Sequence, residues 1–278
     1  MKIGIVGLGL IGGSLGLDWR RQGHYVIGIS RSQETGKIAL ERGIADRAGI
    51  DFKLLTDAEV VVICTPIYAI ATTIKQIIPH LNPETIITDV GSVKQPVVAE
   101  CNQLWANFIG GHPMAGTADS GINAALSNLF QDAAYVFTPT AESNPDCVEK
   151  LKAIALDLGA VPYLCDAQIH DRAVSWISHL PVMISASLIK ACLEEEPETL
   201  ALAQILASSG FKDTSRVGGG NPELGVMMAK YNRKELLRSL YNYRDNLEEI
   251  INTIEGEKWQ DLAAILTNSG EARPKFLN

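Results

Sequence analysis

A histidine between glycines and a proline has the clearest potential for chemistry in this sequence. His112 lies in the segment GGHPMAG at residues 110–116. An imidazole titrates near neutral pH, so it can accept a proton from a hydroxyl group. Single histidines are mostly structural, but the stiff glycine and proline setting favours an imidazole held in one orientation. We therefore predict that His112 is a proton acceptor on a rigid turn.

A glycine motif near the N-terminus predicts a dinucleotide site. The segment GLGLIG at residues 7–12 follows a short apolar strand, Lys2–Val6, and opens a helix. In such motifs the first glycine permits a tight turn, the second lets the backbone approach the pyrophosphate, and the third lets the helix pack on the strand. Backbone amides at the helix N-terminus then bind the phosphates. The predicted cofactor contacts are Gly7, Gly9, Leu10, Ile11 and Gly12.

The end of the second predicted strand indicates which dinucleotide is bound. Tyr25–Ile29 is followed by Ser30, Arg31 and Ser32. An NAD site usually has Asp or Glu here for the ribose 2′-hydroxyl, whereas a hydroxyl and a guanidinium suit a 2′-phosphate. We therefore predict that these three residues bind NADP. The alternative is that Arg31 stacks on the adenine and both cofactors bind.

Two further strand ends are expected to border the ribose and the nicotinamide. Apolar strands over Val60–Cys64 and Thr85–Asp89 are each followed by small polar residues or proline. The carboxyl ends of parallel strands line the ligand crevice of open α/β sheets. The predicted contacts here are Thr65, Pro66, Gly91 and Ser92. Together with His112, they indicate a dehydrogenase that has a base beside the reacting carbon.

The alternation of strands and helices predicts an α/β fold. Short apolar strands separated by helical segments continue to about residue 165, which is typical of a Rossmann-type, doubly wound parallel sheet. From His170 onward, apolar residues recur at helical spacing. We predict an NADP-binding domain over residues 1–165 and an all-helical substrate and dimerisation domain over 166–278. The helical part is too thin to bury its apolar faces alone, so a homodimer is expected; a monomer with helices folded back on the sheet is the alternative.

Charge and composition argue against several classes of partner. The net charge is −8 and Lys and Arg are not clustered, so nucleic acid is not an expected partner. The uncharged run over residues 3–17 is shorter than the ~20 residues that cross a bilayer, so no membrane is expected. Five scattered cysteines without a CxxC motif predict a reducing cytoplasm rather than a disulfide framework or a metal site.

Several segments occur in the order found in the arogenate/prephenate dehydrogenase family, which the chain resembles over residues 3 to about 235. They are GLGLIGGSLG, VVVICTP, TDVGSVK, GGHPMAGT, SHLP and GFKDTSR. The glycine motif is common to many dehydrogenases, and the later segments are more specific to this family. The resemblance implies an NADP-dependent oxidoreductase of tyrosine biosynthesis. Such an enzyme oxidises the C4 hydroxyl of a cyclohexadiene while the ring carboxylate leaves as CO2.

The resemblance also implies roles for individual residues. His112 accepts the hydroxyl proton, and Ser92 hydrogen-bonds the same hydroxyl or orients the histidine. Arg216, in GFKDTSR, binds a substrate carboxylate, the alternative being a surface ion pair with Asp213. The other expected substrate contacts are Ser178, His179 and Thr117. His170 is expected only to cap or position the start of its helix.

Two departures from the family pattern bear on the substrate. Many members that use prephenate have a second histidine in SHLPH, where this chain has Val182. Others have tryptophan after the PEL segment, where this chain has Gly225. We therefore expect oxidative decarboxylation of arogenate, with a prephenate dehydrogenase or a non-catalytic NADP-binding redox sensor as alternatives. A related β-hydroxyacid dehydrogenase is disfavoured, because Lys230 is followed by Lys234 where those enzymes have asparagine.

Overall fold

An eight-stranded sheet organises the first part of the chain in the computed structural model, which describes residues 1–117 and 119–277. The strands are β1 (Lys2–Val6), β2 (Tyr25–Ile29), β3 (Arg47–Gly49), β4 (Val60–Ile63), β5 (Ile86–Asp89), β6 (Phe108–Pro113), β7 (Ala134–Thr138) and β8 (Val161–Leu164). Their order is β3-β2-β1-β4-β5-β6-β7-β8. The first six positions have the strand order of a doubly wound dinucleotide-binding fold, which confirms the predicted fold class.

Helices connect most strands and then occupy the remaining chain. They are α1 (Leu10–Arg21), α2 (Gln33–Glu41), α3 (Ile70–Ile77), α4 (Gln95–Cys101), α5 (Pro145–Leu156), α6 (Ala167–Val174), α7 (Leu180–Cys192), α8 (Pro197–Leu206), α9 (Ser209–Ser215), α10 (Pro222–Tyr231), α11 (Arg233–Glu255) and α12 (Trp259–Ala272). The chain is therefore helical in most of its described residues after β8, as the sequence predicts.

Both faces of the sheet are covered, which explains its unbroken apolar strands. Val60 and Val62 belong to one core, together with apolar residues of α1 and α5. Val61 and Ile63 belong to the other core, together with α3 and α4. Successive side chains of a strand point to opposite faces, so a strand covered on both sides has to be apolar at every position.

One strand pair departs from the predicted parallel sheet. β6 and β7 pair antiparallel, whereas the other neighbouring pairs are parallel. The described residues between these two strands form a 3₁₀ turn, Ile122–Ala124, and no α-helix. A parallel return needs a crossover connection that is usually a helix, so the chain comes back in the opposite direction here.

Packing divides the chain into two compact units, Met1–Asn232 and Arg233–Asn278. The first contains the sheet and helices α1 to α10. The second contains α11 and α12, which pack against each other.

The segment Ala167–Cys192 is long and apolar enough to cross a membrane by length and composition alone. Core helices of soluble proteins pass the same test, and this segment contains His170 and Asp171, which are buried and hydrogen-bonded to each other. A π-helical turn, Ser175–His179, interrupts it before Pro181. Because proline has no N–H group and crowds the preceding turn, the helix widens at this point. We assign the segment to protein packing.

Candidate functional site

The predicted site residues of the cofactor half lie along one edge of the sheet. Strands β1, β4, β5 and β6 are parallel neighbours, so their carboxyl ends lie side by side. Gly7 follows β1, Thr65 follows β4, Ser92 follows β5, and His112 is the penultimate residue of β6. The strand order reverses beside β1, and ligands of open α/β sheets bind at such a point.

His112 lies on a strand, so the predicted turn is wrong. Residues 110–113 pair with β7, and His112 is opposite Val136. The glycines before it serve close packing: a Cβ at Gly111 would lie 2.6 Å from the carbonyl oxygen of Asp89. A Cβ at Gly110 would lie 2.6 Å from Thr138 Oγ1. The imidazole is therefore carried by a hydrogen-bonded strand that is packed tightly against its neighbours.

The glycine motif has the geometry that its sequence predicts. Gly7 has a φ of +105°, and a Cβ there would lie 2.5 Å from the carbonyl oxygen of Cys64. A Cβ at Gly12 would overlap the carbonyl oxygen of Gly7. Gly9 faces open space, because a Cβ there would meet no atom of the described residues within 4 Å. Helix α1 begins at Leu10 and Ile11 with neither a side-chain cap nor an acidic residue in its first turn, so its amides are available to an anion.

The three residues after β2 differ in what their side chains contact. Ser30 Oγ accepts a hydrogen bond from the Ser32 amide at 3.2 Å. Ser32 Oγ accepts from the Thr35 amide at 3.3 Å and so caps α2. Arg31 is exposed and has no hydrogen bond or ion pair with the residues that the structure describes. Its guanidinium is thus free to bind a ligand, and the Ser32 hydroxyl is partly committed to the helix.

Two buried hydroxyl groups at the sheet edge have no protein partner. Thr65 Oγ1 and Ser92 Oγ make no hydrogen bond with the described residues. Pro66 beside them is exposed and begins a 3₁₀ turn, and Gly91 is held by its amide, which donates to Asp89 Oδ2 at 2.8 Å. Buried polar atoms without partners are unusual and require an explanation. A bound ligand at this edge would supply the missing partners.

A buried ion pair connects the end of β5 to β6. The Nζ of Lys94 pairs with Asp89 and donates to the carbonyl oxygen of Gly111 at 2.7 Å. Asp89 Oδ1 accepts from the Gly111 amide at 3.1 Å. Both side chains are completely buried. Burial lowers the pKa of Lys94, and the neighbouring Asp89 carboxylate opposes that shift. Because Lys94 binds the carbonyl oxygen of Gly111 and Asp89 binds its amide, the pair fixes the residue before His112 from both sides.

His112 is part of a buried chain of hydrogen bonds. Its Nδ1 lies 2.9 Å from Nε2 of His170. The Nδ1 of His170 in turn lies 2.8 Å from Oδ1 of Asp171. The Asp171 carboxylate also accepts from the backbone amides of Lys94 and Gln95, at 2.7 and 2.8 Å. These contacts fix the carboxylate, and the carboxylate fixes the two imidazoles.

The environment of His112 keeps its imidazole neutral. Burial lowers the pKa of His112 well below its usual 6.5, and the neighbouring His170, Lys94 and His179 lower it further. A neutral imidazole has one nitrogen with a lone pair. It can therefore act as a proton acceptor at neutral pH.

His179 is buried beside this chain of hydrogen bonds with one ring nitrogen unpaired. The amide Nδ2 of Asn232 donates to the carbonyl oxygen of Asp171 at 2.8 Å and lies 3.1 Å from Nδ1 of His179. Because the amide donates, Nδ1 is an acceptor, and the ring proton is on Nε2. This Nε2 has no partner among the described residues. Burial lowers the pKa of His179 to about 4, so the ring is a neutral donor available to an acceptor atom.

The remaining predicted substrate contacts are not part of this chain of hydrogen bonds. Ser178 is half-buried in the π-helical turn. Thr117 is exposed and its hydroxyl accepts from the Asp119 amide at 3.2 Å. Arg216 is exposed and makes no ion pair within the described part of the chain, Asp213 included. Its turn is nevertheless held, because a Cβ at Gly218 would lie 2.5 Å from the Ala186 amide of α7.

Sequence reasoning misses several residues that hold His112. His170 contacts His112 itself, and the expectation that it caps its helix is wrong, because α6 begins at Ala167 and Asp166 is its N-cap. Lys94 belongs to the family segment GSVK, but nothing in that segment identifies Asp89 as its partner. A charged residue at the end of a fully apolar strand is the signal that could have revealed this pair, because a buried charge needs a partner.

Two family models match the chain over nearly all its length. Residues 15–164 match the nucleotide-binding domain of prephenate dehydrogenase, and residues 166–268 match the dimerization domain of prephenate dehydrogenase. The second match fits a homodimer, in agreement with the exposed apolar residues of α8, which are Leu202, Ile205 and Leu206.

Individual relatives agree with the family models. Prephenate dehydrogenase of Bacillus subtilis is 32% identical over 265 residues, which are 93% of this chain and 71% of that protein. The crystal structure of Synechocystis arogenate dehydrogenase is 53% identical, with a TM-score of 0.91 over 99% of this chain and 100% of that one. Aquifex aeolicus prephenate dehydrogenase, solved with hydroxyphenyl propionate and NAD+, is 25% identical, with a TM-score of 0.92 over 99% and 98% of the two chains.

Proposed function

Because this chain belongs to the prephenate dehydrogenase family, we propose that it is an NADP-dependent arogenate dehydrogenase that forms tyrosine. The observation that carries the proposal is His112, a neutral buried imidazole at the carboxyl edge of the sheet that also bears the glycine motif. The similarity to Synechocystis arogenate dehydrogenase supports the choice of substrate. The same geometry also suits prephenate, which is the alternative substrate.

The residues at the sheet edge fit a dinucleotide. The uncapped start of α1 and the open space over Gly9 suit a pyrophosphate. The unpartnered hydroxyls of Thr65 and Ser92 suit the ribose and nicotinamide half. When bound, the nicotinamide accepts a hydride from the substrate. The residues of the protein bind and orient the substrate and accept its proton.

The residues after β2 support NADP over NAD. No carboxylate follows Ile29 directly, and Arg31 is exposed without an ion pair among the described residues. A guanidinium can bind a 2′-phosphate through charge-assisted hydrogen bonds. The A. aeolicus relative was solved with NAD+, so the preference of this chain needs a direct test.

Replacing Arg31 with alanine tests the cofactor assignment. The variant should lose about tenfold or more of its kcat/KM for NADP, because a hydrogen bond to a charged group contributes about 1.5–3 kcal/mol. Its kcat/KM for NAD should change little. Lys37→Ala, at an exposed position of α2, is the matched control. An unchanged NADP/NAD ratio in Arg31→Ala would show that the assignment is wrong.

During the reaction the protein must accept the hydroxyl proton, orient C4 of the substrate toward the nicotinamide, and bind two carboxylates. His112 takes the hydrogen bond of the C4 hydroxyl, while Ser92 Oγ, which has no partner among the described residues, bonds the same hydroxyl or the cofactor. The donor Nε2 of His179 suits an acceptor oxygen of the substrate. Arg216 supplies the cation that a substrate with two carboxylates needs near a protein of net charge −8. Ser178 and Thr117 complete the proposed substrate contacts.

Steady-state turnover with each substrate and the His112→Asn variant tests the proposed reaction. The wild type should reduce NADP with arogenate faster than with prephenate, because Val182 replaces the second histidine of many prephenate-using members. His112→Asn should lower kcat by ~10²–10⁴-fold, the usual contribution of a positioned base. Unchanged turnover in the variant would refute the mechanism. Absence of turnover in the wild type would favour an NADP-binding redox sensor.

We also propose that the cofactor domain comprises residues 1–165 and the helical substrate and dimerisation domain residues 166–278. The two family matches, which end at 164 and begin at 166, support this boundary. The five cysteines are free, Cys64, Cys101, Cys147, Cys165 and Cys192. Free thiols and a biosynthetic reaction support a cytoplasmic location.

A further inference from the structure

We propose that His170, oriented by Asp171, is a positioning residue that fixes the proton-accepting form of His112 and shares the proton that His112 takes up. This inference rests on the proposed dehydrogenase function. It assigns a role to a histidine that the sequence identifies only as the start of a helix. It also explains why two histidines and an aspartate are buried in one row.

The direction of the hydrogen bonds follows from the fixed carboxylate. Asp171 accepts from the backbone amides of Lys94 and Gln95, so it is placed as a carboxylate. It therefore accepts the Nδ1 proton of His170, whose Nε2 then has a lone pair. This lone pair accepts the Nδ1 proton of His112 across 2.9 Å. The Nε2 of His112 consequently has a lone pair, and Nε2 is the atom that receives the substrate proton.

The surroundings of His112 make a charge there costly unless it is shared. Burial disfavours a positive charge on His112, and the nearby Lys94 ammonium disfavours it further. Moving the Nδ1 proton to His170 places the charge next to the Asp171 carboxylate, 2.8 Å away. An opposite charge at that distance stabilises the imidazolium. The row of three residues thus accommodates a proton that His112 alone could not hold.

The proton returns at the end of the reaction, so the step balances. The C4 hydroxyl proton moves to His112 Nε2, and the His112 Nδ1 proton moves to His170 Nε2. The C4 hydrogen leaves with its electron pair to the nicotinamide, giving a C4 carbonyl. The bond from the ring to its carboxylate then breaks, CO2 departs, and the electron pair makes the ring a phenolate. The two protons move back, and the phenolate oxygen becomes the phenol.

Two substitutions of His170 separate proton sharing from simple packing. His170→Gln retains an amide that can accept from His112 Nδ1 but cannot take its proton, and His170→Leu retains neither function. We expect kcat to fall by ~10-fold in the first and by ~10²-fold or more in the second, with KM unchanged within about twofold. His80→Gln, a half-buried histidine at the turn before β5, is the matched control and should retain wild-type kinetics.

Nitrogen-15 NMR of the histidine-labelled protein reads the proton positions without any turnover. The wild type should show His112 protonated on Nδ1 and bare on Nε2, with His170 protonated on Nδ1. In His170→Leu, His112 should shift toward the Nε2-protonated form that imidazole side chains favour in water. A folded His170→Leu protein with unchanged His112 signals and kcat would overturn the inference. So would a wild-type His112 whose proton is on Nε2.

These measurements distinguish failure of the inference from failure of the proposed function. If neither arogenate nor prephenate is oxidised, the proposed function fails, and the NMR tautomers still decide the arrangement of the hydrogen bonds. If the substrates are oxidised but both His170 variants have wild-type kcat, the function stands and the role of His170 is refuted.

Discussion

The buried pair of Lys94 and Asp89 gives a prediction whose size follows from its burial. Replacing Lys94 with methionine keeps the length of the side chain and removes its charge. Among the described residues, the buried Asp89 carboxylate then keeps only the Gly91 and Gly111 amides as donors. Removing one partner of a buried ion pair costs about 3–5 kcal/mol of the free energy of unfolding. Since the free energy of unfolding of proteins is about 5–15 kcal/mol, Lys94→Met should fold but lose a large part of its stability.

Urea unfolding at a pH of about 7.5, followed by circular dichroism, measures this deficit. Lys75→Met is the matched control, because Lys75 and Glu100 form an exposed pair at 3.5 Å that should contribute less than about 1 kcal/mol. Asp89→Asn combined with Lys94→Met should recover part of the loss, since the unpaired charge is gone. The deficit of Lys94→Met relative to wild type should also narrow as the pH falls, because protonation neutralises the stranded carboxylate.

Two results would refute this reasoning. One is a Lys94→Met deficit no larger than that of Lys75→Met. The other is a double variant less stable than Lys94→Met alone. Either would mean that the pair does not hold β5 against β6, and that the position of His112 depends on other contacts.

Two further predictions concern the glycine motif and the buried histidine. Gly9→Ala should leave the unfolding temperature unchanged and weaken NADP binding, as measured by calorimetry. Gly12→Ala should lower the unfolding temperature, because a Cβ at residue 12 meets the backbone oxygen of Gly7, whereas a Cβ at residue 9 meets no atom of the described residues. Equal effects of the two variants on stability would contradict this. Burial lowers the pKa of His179 to about 4. The unfolded chain therefore binds a proton at this histidine more readily than the folded protein does. The free energy of unfolding is unaffected above a pH of about 6.5 and falls by up to roughly 3 kcal/mol as the pH falls toward 4. The urea midpoint of His179→Asn should therefore fall less steeply with pH than that of the wild type, and parallel curves would disprove the assignment.

The local features of the cofactor half can be predicted from the amino-acid sequence alone. Gly7 needs a positive φ, and Gly12 needs to approach the preceding turn. The spacing of the glycines therefore predicts the backbone geometry of this segment. The apolar run Val60–Ile63 predicts a strand covered on both faces, because period-two alternation leaves no polar position in such a strand. These features depend on residues that are near each other in the chain.

The surroundings of His112, in contrast, are established by tertiary packing. The glycines beside it suggest a turn, and they are instead places where β6 packs closely on its neighbouring strands. His170 is 58 residues away in sequence, and it reaches His112 because α6 packs against α4 at the end of β5. The Lys94 and Asp89 pair likewise depends on the connection between β5 and α4, which buries both charges. Spacing along a chain records local conformation, whereas the partners of a buried polar group are set by which distant elements pack together.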